Sequence, residues 1–176
     1  RGGFDDYRPQ VHDSNGLLIE REDGEVYWRP LTNTPSLGNS YFWENNPKAF
    51  GLYQRGRDFE TYQDAGAHYE RRPSARIEPT GEWGQGMLRL IEIPSRLEVD
   101  DNIVAFWVPA EPVKAGESRE FQYRLIWGDL SPDPQAGLAH VVETRGGKGG
   151  VSGVESEDSL RKFVVDFKGA ALANPD

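Results

Sequence analysis

Apolar residues recur at every second position in several short stretches of this chain, the mark of strands with one face turned to a core. Val26 and Trp28 alternate with Glu25, Tyr27 and Arg29. Phe121, Tyr123, Leu125 and Trp127 alternate with Gln122, Arg124 and Ile126, and Phe163, Val165 and Phe167 with Lys162, Val164, Asp166 and Lys168. Met87 to Ile93 predicts a further strand, stopped by Pro94. Ile103 to Val108 is an unbroken apolar run ended by Pro109, which predicts a central strand covered on both faces. One short helical turn is expected near Thr61–Tyr69, although Gly66 interrupts it. The pattern predicts an all-β fold. The 20 Gly and 12 Pro, spread along the chain, agree with many short strands and turns.

One boundary shows in the composition. Gly128 to Gly137 holds two Pro, two Gly and two Asp, and predicts a linker over 129–140. The residues that follow contain two strand candidates split by Arg145-Gly146-Gly147-Lys148-Gly149-Gly150, and are too few to bury a core of their own. They read as the opening strands of a second, truncated β domain over 141–176. The glycine run is expected at a mobile hairpin tip, because a single such run in an acidic chain is a poor RNA-binding tract.

Charge and composition narrow the function. Asp plus Glu number 29 against 20 Lys plus Arg, a formal net charge of −9. The acidic balance with no clustered basic face argues against a nucleic-acid partner, and none is expected, since phosphate binding needs concentrated positive charge. No stretch approaches the roughly 18 apolar residues of a membrane-spanning helix. The absence of cysteine rules out disulfides, thiol catalysis and thiolate-bound metals. His12, His68 and His140 are too scattered for a metal-ligand spacing, and no cofactor or metal is expected. The chain starts at Arg1 without a signal peptide and reads as an excised or processed segment.

Carboxylates in aromatic company remain as the chemistry-bearing groups, the equipment of glycoside hydrolysis. Asp101, in Asp100-Asp101-Asn102 directly before the Ile103 run, is placed where desolvation would raise its pKa and suit it to general-acid work. The plainer reading is a turn aspartate bonded to its own backbone amides, and the residues alone favour it. Asp13, before Ser14-Asn15-Gly16-Leu17, has the same two readings. Arg55, Arg57, Arg71 and Arg72 stand near Tyr53, Tyr62 and Tyr69. They predict either an aromatic-lined groove for an uncharged oligosaccharide or arginines paired with surface acid. Trp43 is expected as a core anchor rather than a sugar platform.

Several ordered strings carry a resemblance. Tyr7-Arg8-Pro9-Gln10-Val11-His12-Asp13-Ser14-Asn15-Gly16-Leu17, Trp28-Arg29-Pro30-Leu31, Asn46-Pro47-Lys48-Ala49-Phe50-Gly51-Leu52 and Gln54-Arg55-Gly56-Arg57-Asp58-Phe59 resemble the osmoregulated periplasmic glucan biosynthesis proteins, types G and D. The likeness continues through Tyr69-Glu70-Arg71-Arg72-Pro73-Ser74, Gly81-Glu82-Trp83-Gly84, Glu92-Ile93-Pro94 and Asp101-Asn102-Ile103-Val104-Ala105-Phe106-Trp107. It fades, then returns at Phe163-Val164-Val165-Asp166-Phe167. The resemblance implies a periplasmic protein that acts on β-1,2-linked glucan, with an inverting endo-glucanase activity known among family members. It implies the C-terminal part of a large, galactose-mutarotase-like β-sandwich over 1–128 and the start of an immunoglobulin-like domain over 141–176. Exposed apolar strand faces are then expected on the incomplete sandwich. The family's general acid falls on Asp101, its base on Asp13, a tyrosine near the acid on Tyr69, and a substrate-contacting arginine on Arg72. Glu98 joins the expected substrate contacts, within a stretch, Ser95–Asp100, that departs from the family pattern. Arg57 and Tyr62 complete the expected groove. The inner-membrane glucan synthase is a candidate protein partner. A non-catalytic glucan-binding or assembly factor is the competing function, and a purely structural sandwich fragment is a third.

Overall fold

The computed structural model describes residues 7–130, 139–150, 159–169 and 172. The fold is all-β, as the alternation predicts. The chain divides into two units, Arg1–Pro132 and Asp133–Asp176. Residues 131–138, most of the expected linker, lie outside the described residues.

In the first unit the strands run β1 (Gly16–Glu20), β2 (Val26–Pro30), β3 (Gly38–Asn45), β4 (Ala49–Tyr53), β5 (Ser74–Pro79), β6 (Gln85–Glu92), β7 (Ile103–Pro109) and β8 (Tyr123–Gly128). Among the described residues they form two antiparallel sheets, of five strands in the order β2-β1-β4-β5-β8 and of three in the order β3-β6-β7. Period-two alternation decides the packing. Leu17 and Ile19 of β1 and Phe50 of β4 turn toward Leu88 and Leu90 of β6, and these five buried side chains form the core. Leu52, Ile77, Phe42, Ala105 and Trp107 pack around them from both sheets. Each such buried aliphatic contributes about 1.5–3 kcal/mol relative to exposure. The result is a sandwich with its filling between two sheets of unequal width.

Trp83 closes one flank of this core. Its ring meets Phe50 at 6.2 Å, Trp107 at 6.0 Å, Phe121 at 5.2 Å and Tyr123 at 6.2 Å between centroids, and its Nε1 donates to the Gln122 carbonyl at 3.1 Å. Beyond it, on β8, Tyr123, Leu125 and Trp127 face the same side as the core yet remain 54%, 49% and 64% exposed. They stand opposite Pro79, Ile77 and Ala75 of β5, outside the cover of the narrower sheet.

Four expectations are corrected. Among the described residues the Ile103 run is an edge strand, not a central one: Ile103, Ala105 and Trp107 pack inward, while Val104 on the outer face is half-exposed. An apolar run does not distinguish a strand covered twice from an edge strand whose outer face is also aliphatic. Trp43 is 63% exposed, because on β3 it shares the outward face with Tyr41 while Phe42 packs against the core. The single helical turn is two pieces, an α-turn α1 (Phe59–Tyr62) and a 3-10 turn (Tyr69–Arg71). Gln63 and His68, both left-handed, break the run between them. In the second unit β9 (His140–Lys148) pairs antiparallel with β10 (Arg161–Lys168), so Arg145 to Lys148 lies in a strand and not at a hairpin tip. Among the described residues no helix is long and apolar enough to cross a membrane.

Gly51 is the tightest point of the wide sheet. A Cβ there would stand 1.9 Å from the Ala75 carbonyl oxygen of β5, so only glycine lets these strands pair. Gly51→Ala should destabilise the full-length protein by about 1–3 kcal/mol or more, the range of forced overpacking. Gly128→Ala, where a Cβ meets nothing within 4 Å, is the control and should leave the denaturant midpoint nearly unchanged.

Candidate functional site

At one end of the first unit, the loops that leave β1, β2, β6 and β7 converge around a cavity of about 450 Å³. Asp13, Tyr69, Glu98 and Asp101 all line it, although Asp13 and Asp101 are 88 positions apart in sequence. Arg72 stands beside them, its Nε 3.5 Å from Asp13 Oδ1 and its guanidinium 5.3 Å from the centre of the Tyr69 ring. Arg57 and Tyr62 are not at the wall. Arg57 donates backward, to the carbonyl of Arg72 at 2.6 Å and to Ser74 Oγ at 3.1 Å, bracing the segment that carries Arg72. Tyr62 is fully buried behind Tyr69, ring centres 5.9 Å apart, and burial pushes its phenol up to about 12. Tyr53 is also buried, so of the three tyrosines in the expected groove only Tyr69 reaches the cavity.

The loop that bears Asp13 is held from beneath by Asn15. Its Oδ1 accepts the backbone N–H groups of Arg55 at 2.6 Å and Gly56 at 3.0 Å. That leaves its Nδ2 as the donor to His12 Nε2 at 2.8 Å. His12 Nε2 is therefore an acceptor, and the neutral ring carries its proton on Nδ1. Burial lowers the His12 pKa to about 4, which keeps the ring neutral. Gln54, fully buried at the end of β4, donates from Nε2 to the carbonyls of Tyr69 at 3.0 Å and His12 at 3.4 Å. One amide thus joins the backbones of the segments that carry Tyr69 and Asp13.

Across the cavity, Asp101 sits on the loop between β6 and β7. Ile93 N–H donates to the Asn102 carbonyl and Asn102 Nδ2 to the Ile93 carbonyl, both at 2.8 Å, pinching the loop at its base. Asn33 and Ser95 bond each other twice, at 2.8 and 3.2 Å, tying the loop to the cavity wall after β2. Asp101 is exposed, contrary to the expectation of a desolvated carboxyl. Asp101 stands two residues before β7 and lines the open cavity. Tyr69 is buried, and its hydroxyl donates to Glu98 Oε1 at 2.5 Å. Burial first, and the Glu98 carboxylate second, push its pKa above the usual phenol range.

Sequence reasoning did not find Arg8, Asn15, Gln54 or Glu92. Glu92 had a legible signal, a carboxylate continuing the inward face of Leu88 and Leu90. It is buried, and accepts from Arg29 at 2.6 Å and from the backbone N–H of Thr32 at 2.7 Å, fixing the wall after β2 to the narrow sheet. The others bond over separations no local pattern marks. Among the described residues no group of three or more His, Cys, Asp or Glu could hold a metal ion.

A family model described as "Periplasmic glucan biosynthesis protein, MdoG" matches residues 1–176. Glucans biosynthesis protein G of Cereibacter sphaeroides is 59% identical over 172 residues, covering 98% of this chain and 32% of the relative. A probable glucans biosynthesis protein D of Shewanella oneidensis is 47% identical over 172 residues, again covering 98% and 32%. Glucans biosynthesis protein D 2 of Ralstonia nicotianae is 49% identical with the same coverage. The chain spans about a third of the length of these curated relatives.

The neutral His12 gives the site a pH signature. In the unfolded chain it takes a proton near 6.5, in the fold only near 4. Between these values the unfolded state binds more protons, so stability is complete above about pH 6.5 and falls as the pH drops toward 4. The loss should reach at most about 3 kcal/mol. Asp64, whose pKa is lowered to about 2, loses its contribution only below about pH 4, a separate window. Urea unfolding of the full-length protein at pH 7, 5.5 and 4.5 should show this slope. His12→Gln, which keeps an acceptor for Asn15, should remove most of it.

Proposed function

This chain belongs to the MdoG family of periplasmic glucan biosynthesis proteins, and from that premise we propose that its cavity is part of the active site of an inverting endo-β-1,2-glucanase. The observation that carries the reading is the meeting of Asp13 and Asp101 on one cavity, with Tyr69 also in its wall and Arg72 against Asp13. In the proposed reaction the Asp101 carboxyl gives its proton to the glycosidic oxygen as the C1–O bond breaks. Water attacks C1 from the opposite face, and Asp13 takes the proton that water releases, directly or through a second water. Acid and base are thereby exchanged in protonation, and solvent resets them. Room for the attacking water requires the two carboxyls to be at least roughly 6.5 Å apart in the substrate complex, and a relay through a second water allows a larger gap. The full-length protein would do this work in the periplasm, beside the inner-membrane glucan synthase.

The exposure of Asp101 favours a second reading, a glucan-binding or assembly factor without hydrolysis. Work as a general acid would require the bound glucan to cover Asp101 and exclude water from it. A binding factor needs no such change.

Incubation of the full-length protein with linear β-1,2-glucan, followed by chromatography, separates the two. The proposed enzyme yields shorter glucans whose new reducing ends are α by NMR immediately after cleavage. Asp101→Asn should reduce turnover by about 10²–10⁴-fold with an unchanged melting temperature. Near-normal turnover by that variant would sink the assignment, and initial β anomers would sink the mechanism. Glucan binding without cleavage by the wild type would establish the second reading.

A further inference from the structure

Arg8 takes no part in the chemistry proposed above, yet it joins the segment before Asp13 to the loop that carries Asp101. Its Nη1 lies 3.0 Å from Glu98 Oε1 and its Nη2 2.8 Å from Glu98 Oε2, a two-pronged pair across 90 positions of sequence. The same Nη1 donates to Asp64 Oδ2 at 2.7 Å. Asp64 is itself rigidly mounted, because its Oδ1 accepts the backbone N–H groups of Gly66 at 2.9 Å and Ala67 at 2.8 Å. Both Arg8 and Asp64 are largely buried, with side chains 15% and 11% exposed. Arg8 stands five residues before Asp13, and Glu98 three before Asp101.

We infer that Arg8 is a positioning residue, a latch that closes the Asp101 loop against the Asp13 segment and fixes the direction of hydrogen bonding at Tyr69. A carboxylate engaged on both oxygens by a guanidinium fork is held in the ionised, accepting form. The ion pair with Arg8 and the Tyr69 hydrogen bond keep Glu98 below the usual carboxylate range, in agreement with that geometry. The single proton of the Tyr69 hydroxyl is committed to Glu98, so its oxygen can offer the cavity only lone pairs. A water or sugar hydroxyl that meets Tyr69 must therefore donate to it. Glu98, in turn, is a component of the latch and not a free hand for substrate.

The catalytic consequence rests on the glucanase reading, but the latch itself does not, and the test separates them. In the full-length protein, Arg8→Met, Arg8→Lys and Glu98→Gln are compared by hydrogen–deuterium exchange across residues 93–102. They are also compared by kcat and KM on linear β-1,2-glucan and by the pH dependence of kcat. Arg8→Met should speed exchange in that loop and lower kcat by on the order of 10²-fold, with KM little changed. The acid limb of the profile should move to higher pH, because Glu98 without its cation takes a proton more readily. Arg8→Lys keeps the charge without the fork and should fall between. Added to Glu98→Gln, Arg8→Met should cost little more, because both break one contact. Wild-type loop exchange in both Arg8 variants overturns the latch, whatever happens to the melting temperature. Faster exchange with an unaltered kcat and pH profile overturns the positioning role. If the wild type cleaves no glucan, the glucanase reading fails alone, and loop exchange still decides the latch.

Discussion

The contact of Leu17, Ile19 and Phe50 with Leu88 and Leu90 is what the rest of the first unit depends on. It sets two sheets face to face and brings to one end the finish of β2 and β6 and the start of β1 and β7. Loops that leave those ends have nowhere to go but around a shared hollow. Sequence-distant acids meet there because the sheets do, not because the acids attract one another. The carboxylates are cargo on a frame fixed by apolar packing, which is the usual division of labour between rigid scaffold and functional loops.

The frame ends before the cavity begins, and polar contacts take over. Glu92 extends the inward face of β6 and meets Arg29 and Thr32 where aliphatic packing stops. Asn15 and Gln54 hold the floor, and Arg8 and Glu98 hold the two sides. These amides and ion pairs are short-range and directional, which aliphatic contacts are not. They can fix a loop to a few tenths of an ångström, whereas the core can only fix where the loop starts. The neutral His12 belongs to the same logic, since its ring is an acceptor for Asn15 and is not free to act as a base in the cavity.

What the sequence made legible follows from this division. Alternation marked β2, β8 and β10, and an apolar-rich run stopped by proline marked β6 and β7. It did not single out β4, because Gly51 interrupts a strand pattern for a reason that lies in the neighbouring strand. Nor did it single out β3, whose outward face carries Tyr41 and Trp43 while the inward one carries Phe42. Asp13 and Asp101 stood out by position, but only the ordered family strings lifted the functional reading above the local one of turn residues. Tyr62 was expected in the sugar groove because arginines stand near it in sequence. Its neighbours in space, His12 and Tyr69, make it part of the packing. Arg8 was inside a quoted string yet without a role, for its partners lie 56 and 90 positions away.

Tyr123, Leu125 and Trp127 have a consequence of a different kind. They form an apolar ridge on β8, which is also the last strand of the five-stranded sheet among the described residues. A bare strand edge beside an uncovered aromatic face is an adhesive surface. Studied as an isolated piece, this stretch would have its colloidal behaviour governed by those three side chains more than by its net charge of −9. Such a ridge favours self-association. Detergent or a covering strand, rather than salt, is what would quiet it.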